Sequence, residues 1–338
     1  MLWKQKPINP RNISVMNASR KNLPTYQHTH ESWRRAHDLL PEPLRMRPDQ
    51  TPREEWLRVG RFEVHLDRHG PDDAPATLVL VHGGGGNGRL LAPYGCLAAK
   101  HGFAAVAPDL PGYGLTQQRR KRSIVYEDWR TVLTAVVEDT ARRTGRPVVL
   151  FGLSMGGMLA YDAAASTRIP SALITTCLLD PRLPEVRRQM VRAPWLATLT
   201  EWSLRVPWLT DHGVVKMNLV GNMKAIANHP PISRALSRDR RAGGTWMPGR
   251  WIRTFLTSDP VVEPEAFDVC PVLLAHPADD HWTDVAVSRP FFDRLVSTPT
   301  ELVMLERCGH FPIEAPGRDV LADLLVDRLR TAAATTAA

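Results

Sequence analysis

Residues 148–165 restrict the fold more than any other stretch. Val148-Val-Leu-Phe151 is an apolar run of strand character, and Met155 to Ala165 reads as a helix. Only Gly152, Leu153 and Ser154 stand between them, so there is no room for a loop. The chain must turn sharply at Ser154, and that serine takes a strained backbone conformation. Side chains two residues to either side would collide, so glycine is needed at 152 and 156. The turn lifts the hydroxyl clear of the strand, above a helix N-terminus, where negative charge is favoured.

The segments on either side repeat this rhythm. Leu57–Val59 and Phe62–Leu66 alternate with polar residues, as half-buried antiparallel strands do. Leu78–Val81 is an unbroken apolar run, expected of a strand covered on both faces. Strands follow at Phe103–Ala107, Val148–Phe151 and Ala172–Leu179, with a helix from Ile124 to Arg143. Alternation of this kind predicts an α/β fold with a mostly parallel sheet and helices on both faces. It breaks at Pro181 and resumes at Val272–Ala275, followed by a helix at Asp284–Val296, a strand at Glu301–Leu305 and a last helix at Gly317–Ala333. The chain thus divides into a polar, proline-rich arm (1–55), a core (56–180 and 266–338) and a helical insertion (181–265). The arm is expected to be partly disordered, with one short helix at Ser32–Leu40.

The net charge of +8 is uneven: +5 in residues 1–60, +6 in residues 181–265 and −3 elsewhere. No nucleic-acid motif or aromatic-interleaved basic stripe accompanies it, which argues against a nucleic-acid partner. The basic insertion favours an acidic substrate, and its tryptophans (195, 202, 208, 246 and 251) favour an apolar or aromatic one. No apolar run is long enough to span a bilayer, so stable membrane insertion is not expected. The first 30 residues lack the apolar centre of a secretory signal. Cys96, Cys177, Cys270 and Cys308 form no CxxC pair and fit no zinc ribbon; reduced, buried thiols in a cytoplasmic protein without metal or cofactor are expected.

A serine hydroxyl needs a base. His310 follows the last strand in Cys308-Gly309-His310-Phe311, at the carboxyl edge of the sheet where Ser154 also lies. The imidazole needs a carboxylate to fix its tautomer. Asp279, Asp280 and Asp284 end the run from Val272, and Asp180 ends the strand before it; Asp280 is favoured and Asp279 comes second. A developing oxyanion needs backbone donors. Met155, next to the serine, supplies one, and the run His82-Gly-Gly-Gly-Gly-Asn-Gly88 supplies the other, with Gly84 preferred and Gly85 next. No Gly-Lys-Ser/Thr ends that run, so it is not a P-loop. His82 is expected to anchor the loop, and Asp109-Leu-Pro-Gly-Tyr-Gly114 reads as a structural turn. Trp282, beside the acids, is a candidate for lining a substrate pocket.

His82-Gly83-Gly84, Asp109 to Gly114, Gly152 to Gly156, Asp280 and Gly309-His310, in this order, resemble the α/β-hydrolase superfamily over residues 56–180 and 266–338. That family commonly places its acid in an H-G-x-x-D motif; Asp280 holds that place, with Pro277 for the glycine. The resemblance implies a serine hydrolase acting on a small-molecule ester or related acyl bond, with 181–265 as a cap. It also implies a Ser154-Asp280-His310 triad, with Gly84 and Met155 holding the oxyanion. Acyl transfer and amide or peptide cleavage would use the same residues, and a ligand-binding receptor could retain the fold. Serine at the elbow excludes the aspartate-nucleophile mechanism of related epoxide and haloalkane hydrolases.

Overall fold

A computed structural model describes residues 13–16, 23–29, 32–193 and 211–337. Its twelve strands are β1 (Ile13–Met16), β2 (Arg53–Val59), β3 (Phe62–His69), β4 (Thr77–Val81), β5 (Ala104–Pro108), β6 (Gln117–Gln118), β7 (Val148–Gly152), β8 (Ala172–Thr175), β9 (Val214–Lys216), β10 (Trp246–Pro248), β11 (Val272–Pro277) and β12 (Thr300–Leu305). Ten of them form one sheet in the order β1-β2-β3-β5-β4-β7-β8-β11-β12, with β6 paired to β3. From β5 to β12 every neighbour is parallel; β1, β2, β3 and β6 are antiparallel additions. The fold is therefore a mostly parallel α/β sheet with helices on both faces.

The central strands are apolar on both sides because both faces are covered. Val79, Val81, Val148, Leu150 and Leu173 point into one apolar cluster, with Trp129 and Leu159 of the helices Tyr126–Thr144 and Met155–Thr167. Their neighbours Leu78, Leu80, Val149, Phe151 and Ile174 point into the other, with Tyr94 of Ala92–Lys100 and Leu321 of Gly317–Ala337. The two-residue period of a strand sorts one continuous apolar run into two cores.

Several elements differ from the sequence reading. The helix Ala92–Lys100 was not anticipated; Pro93 and Gly95 dilute its pattern, and Gly95 is needed because the His69 ring packs where its Cβ would be. The strand after Ile169 stops at Thr175 rather than Leu179, because Thr175 Oγ donates to the Cys177 carbonyl and turns the chain out of the sheet. The helix beginning at Val285 ends at Phe292 rather than Val296. Segment 181–265 contains helices at Pro184–Met190, Met217–Val220, Pro230–Arg238 and Gly249–Leu256, but also an unexpected antiparallel pair, β9 with β10. Trp195, Trp202 and Trp208 lie outside the described residues.

The arm differs most. Residues 1–12 and 17–22 lie outside the described residues, but 23–29 and 32–50 are packed rather than loose. The expected helix is present at Ser32–Asp38. Tyr26 is 1% exposed and anchors the arm in a buried ionic cluster. Its hydroxyl donates to Asp109 Oδ2 (2.9 Å) and its backbone N–H to Glu54 Oε2 (2.8 Å). His65 Nε2 meets the same Glu54 oxygen at 2.8 Å, and its Nδ1 lies 3.2 Å from Asp109 Oδ2. Arg89 pairs with Asp67 (Nη2 to Oδ1, 2.7 Å) and lies against the rings of Tyr26 and Trp33. Composition could not reveal this, because a few aromatic and acidic groups in a polar segment find partners far along the chain.

Burial opposes charging His65, but the Asp109, Glu54 and Asp67 carboxylates outweigh it and push its pKa from 6.5 up to about 9. Burial also opposes ionising Asp109, yet contact with His65 and the Leu115 N–H hold it down at about 2. The His65 contribution is complete below about pH 6.5 and is lost as pH rises through about 9. That of Asp109 is complete above its ordinary 3.8 and is lost as pH falls through about 2. Calorimetric scans across pH 4–10 should therefore show Tm falling between pH 6.5 and 9. His65→Gln should lower Tm at pH 6 and flatten that alkaline slope; an unchanged slope would dissociate it from His65.

Candidate active site

Ser154 sits at the carboxyl end of β7 with φ 56° and ψ −129°, a left-handed backbone that a non-glycine residue adopts at a cost. Two features hold it there. Its N–H donates to Thr176 Oγ1 at 2.9 Å. The following helix also lies so close to the sheet that a Cβ on Gly156 would enter the Val81 carbonyl and sit 2.9 Å from that of His82. A Cβ on Gly152 would lie 2.6 Å from Gly157 Cα. Gly157, which the pentapeptide does not include, is equally constrained, by Thr175 Oγ1 and the Cys177 carbonyl.

The loops beyond β11 and β12 bring Asp280 and His310 to this point. His310 Nε2 is 2.7 Å from Ser154 Oγ, and His310 Nδ1 is 2.8 Å from Asp280 Oδ2. The His310 and Asp280 side chains are only 2% and 1% exposed, so water does not compete for these contacts. Asp280 is held in turn: Oδ1 accepts the Trp282 and Thr283 N–H groups at 2.7 and 2.9 Å, and Oδ2 accepts the Thr283 hydroxyl at 2.9 Å. Burial works against its charge, but the His310 imidazole and these N–H groups outweigh that and keep its carboxyl below the usual carboxylate range.

The competing acids lie elsewhere. Asp279 is exposed, and its backbone carbonyl accepts from Asn228. Asp284 caps the helix Val285–Phe292 through the Ala286 N–H, and Asp180 is engaged by Arg182.

The glycine loop after β4 packs against the elbow: a Cβ on Gly83 would lie 2.9 Å from Ser154 Cβ and 3.2 Å from Met155 N. Gly84 faces Met155, whose sulfur would be 2.8 Å from an added Cβ, whereas Gly85 (φ 83°) faces Met223 of the insertion. Among the described residues neither the Gly84 nor the Met155 amide donates a hydrogen bond. Both therefore retain donor capacity, and both residues line the cavity that Ser154 lines; free donors there are what stabilisation of a developing oxyanion requires. His82 anchors the loop: Nδ1–H donates to the Gly83 carbonyl (2.8 Å) and Nε2 accepts the Leu110 N–H (3.0 Å). Burial keeps its imidazole below the ordinary histidine pKa, hence neutral.

Above Ser154 lies a cavity of about 800 Å³, part of it open to solvent, walled by Met155, Leu179, Met217, Trp251, Phe255 and Trp282 among others. Its apolar lining, with few polar groups, is that of a small-molecule site. Trp282 joins this wall with its ring 4.8 Å from that of His310 and its Nε1–H donating to the Met190 carbonyl at 3.3 Å. Trp251 also lines it, while Trp246 points away and is half exposed. Sequence reasoning missed Thr176 and Thr283. Thr283 lies three residues from its partner Asp280, so its hydroxyl was an available signal, whereas Thr176 is 22 positions from Ser154 and no local pattern links them. Cys177 Sγ, Asp280 and His310 are close enough together to suit a metal ion, yet the same imidazole is engaged by Ser154 and Asp280.

The family model for the alpha/beta hydrolase family matches residues 78–323. The chain belongs to the alpha/beta hydrolase family. Among curated hydrolases of this kind it is 27% identical over 160 residues to protein phosphatase methylesterase 1 of Bos taurus, covering 44% of this chain and 42% of that one. The Homo sapiens form is 26% identical over the same length. The chain thus spans less than half the length of these relatives. Among solved structures, a soluble variant of monoglyceride lipase from Saccharomyces cerevisiae superposes with TM-score 0.69 at 16% identity, over 87% of this chain and 98% of that one. A monoacylglycerol lipase from Paleococcus ferrophilus gives TM-score 0.62 at 18% identity, over 79% and 99%. At such identity the likeness is one of fold.

The glycine packing makes a stability prediction. Gly156→Ala should destabilise the hydrolase by about 3 kcal/mol in urea unfolding, because its methyl meets backbone carbonyls that cannot move aside. Gly145→Ala meets nothing within 4 Å and strains only φ, so it should cost about 1 kcal/mol. Equal losses would contradict the packing argument.

Proposed function

We propose that the protein is a serine hydrolase that cleaves carboxylic esters of small molecules through an acyl-enzyme on Ser154. One observation carries this reading: the Asp280–His310–Ser154 relay, at 2.8 and 2.7 Å, opens into an apolar cavity bordered by the Gly84 and Met155 amides. In the reaction, His310 Nε2 takes the hydroxyl proton as Ser154 Oγ attacks the ester carbonyl. Asp280 fixes the Nδ1–H tautomer and stabilises the imidazolium. The Gly84 and Met155 N–H groups bind the oxyanion, so charge develops against fixed dipoles rather than reorganising water. His310 then gives the proton to the leaving alcohol and activates a water that releases the acid. The names of the relatives and neighbours, a methylesterase and two acylglycerol lipases, agree with ester chemistry.

In the same reading, 56–180 and 266–338 form the catalytic core, and 181–265 is a cap whose Met217, Met223, Trp251 and Phe255 roof the substrate. Trp282 lines the pocket beside the imidazole. Among the described residues no helix is long and apolar enough to cross a membrane. Cys96, Cys177, Cys270 and Cys308 are all free and buried, which suits a reducing compartment, and we assign the enzyme to the cytoplasm on that ground.

With 4-nitrophenyl acetate, Ser154→Ala should abolish turnover without changing Tm, and Asp280→Asn should lower kcat by about 10^4-fold through loss of the correct tautomer. Asp279→Asn should leave kcat intact. Undiminished turnover by Ser154→Ala would sink the proposal. Ester products that accumulate when an alcohol is added, at the expense of free acid, would redirect it to acyl transfer.

A further inference from the structure

Among the described residues, the cavity above Ser154 is lined by apolar side chains with one formal charge, that of Arg187. Arg187 lies on the helix Pro184–Met190, and two backbone carbonyls hold it in place. Its Nε–H donates to Pro181 O (2.6 Å) and its Nη2–H to Leu256 O (2.9 Å). Among the described residues, two of the five guanidinium N–H groups are thereby used and three are left. Its neighbours are neutralised: Arg182 pairs with Asp180 and Glu263, and Arg188 with Glu185. Arg187 forms no ion pair among the described residues, and its partners are carbonyls, which orient the guanidinium without cancelling its charge.

Arg187, oriented and without an ion-pair partner among the described residues, shares this wall with Leu179, Met190, Trp251 and Phe255, and apolar walls of that kind screen a charge less than bulk water does. The group that completes it is a carboxylate, whose two oxygens match the planar donor fork. We propose that Arg187 is a specificity-determining residue that holds a carboxylate on the substrate, remote from the ester carbonyl. The substrate class is then an ester with one anionic carboxylate end and an apolar segment between it and the scissile bond. This rests on the reading of Ser154 as the nucleophile. The held carboxylate takes no part in bond breaking; water is consumed, and an acid and an alcohol are released.

The test uses the full chain and two matched pairs of esters. One pair places the charge on the acyl side (mono-4-nitrophenyl glutarate against 4-nitrophenyl pentanoate), the other on the alcohol side (4-acetoxybenzoate against phenyl acetate). For at least one pair, wild-type kcat/KM should favour the anionic member. Arg187→Met should lower the anionic-to-neutral ratio at least tenfold, mainly through KM, and Arg187→Lys should restore part of it. A ratio unmoved by Arg187→Met, with both members falling together, would mean that the residue only clamps Pro181 to Leu256 and would overturn the proposal. So would a wild-type preference for the neutral member of both pairs. Calorimetry on Ser154→Ala, comparing monomethyl glutarate with methyl pentanoate and 4-acetoxybenzoate with phenyl acetate, reads the same preference without turnover. The preference should vanish in the Ser154→Ala, Arg187→Met double variant. Ester turnover that survives Ser154→Ala refutes the nucleophile, and the binding comparison still decides Arg187.

Discussion

The close approach of the helix Met155–Thr167 to the ends of β4 and β7 is the constraint on which the rest depends. Gly152, Gly156 and Gly157 allow backbone to pack on backbone where any Cβ would overlap a carbonyl, a Cα or the Thr175 hydroxyl. That contact forces the left-handed conformation of Ser154. The strain is local, and the surrounding sheet, buried on both faces, over-determines it. Moving the helix outward would relieve Ser154, but it would open the apolar cluster that Met158, Leu159 and Tyr161 form with the sheet. Strain at one residue is therefore secured by burial of many.

The same logic reaches the glycine loop. Its far end is tied by Gly88 N–H to Asp109 Oδ1 at 2.7 Å, and its near end by His82 to Gly83 and Leu110. Asp109 also accepts from Leu115 N–H and from the Tyr26 hydroxyl. One buried carboxylate thus joins the arm, the turn after β5 and the loop that borders Ser154. A buried ionised group is costly to solvate, and this one is compensated by four partners, His65 among them. The arm, polar by composition, is in this way part of what fixes the loop.

Legibility from sequence followed the range of the interactions. The central strands were readable because continuous apolar runs have few other uses, and the turn at Ser154 because the strand, the glycines and the helix that announce it are contiguous in the chain. The order of Ser154, Asp280 and His310 along the chain was readable, and so was their place at strand ends. Asp280 and Asp279 could not be separated from within the loop; the difference is that one carboxylate turns inward onto Trp282 N–H and Thr283 N–H while the other faces water. Tyr26 and Asp109 are 83 positions apart, and no local pattern announces such a contact. The helix Ala92–Lys100 was hidden because its glycine answers to a histidine on β3 rather than to helical periodicity.

The charge distribution gives the last connection. The excess of +6 in residues 181–265 suggested a diffuse basic surface drawing in acidic ligands. In the fold much of that charge is spent locally. Arg182 meets Asp180 and Glu263, and Arg250 and Arg253 share Asp211. Pairs of this kind cancel the field that a net count implies. What a ligand in the cavity meets is then set by the side chains that line it rather than by the total. There, among the described residues, the balance is one guanidinium against an apolar wall. A single cation held in an apolar wall discriminates more sharply than a broad basic surface, because a ligand carboxylate meets it at one fixed place.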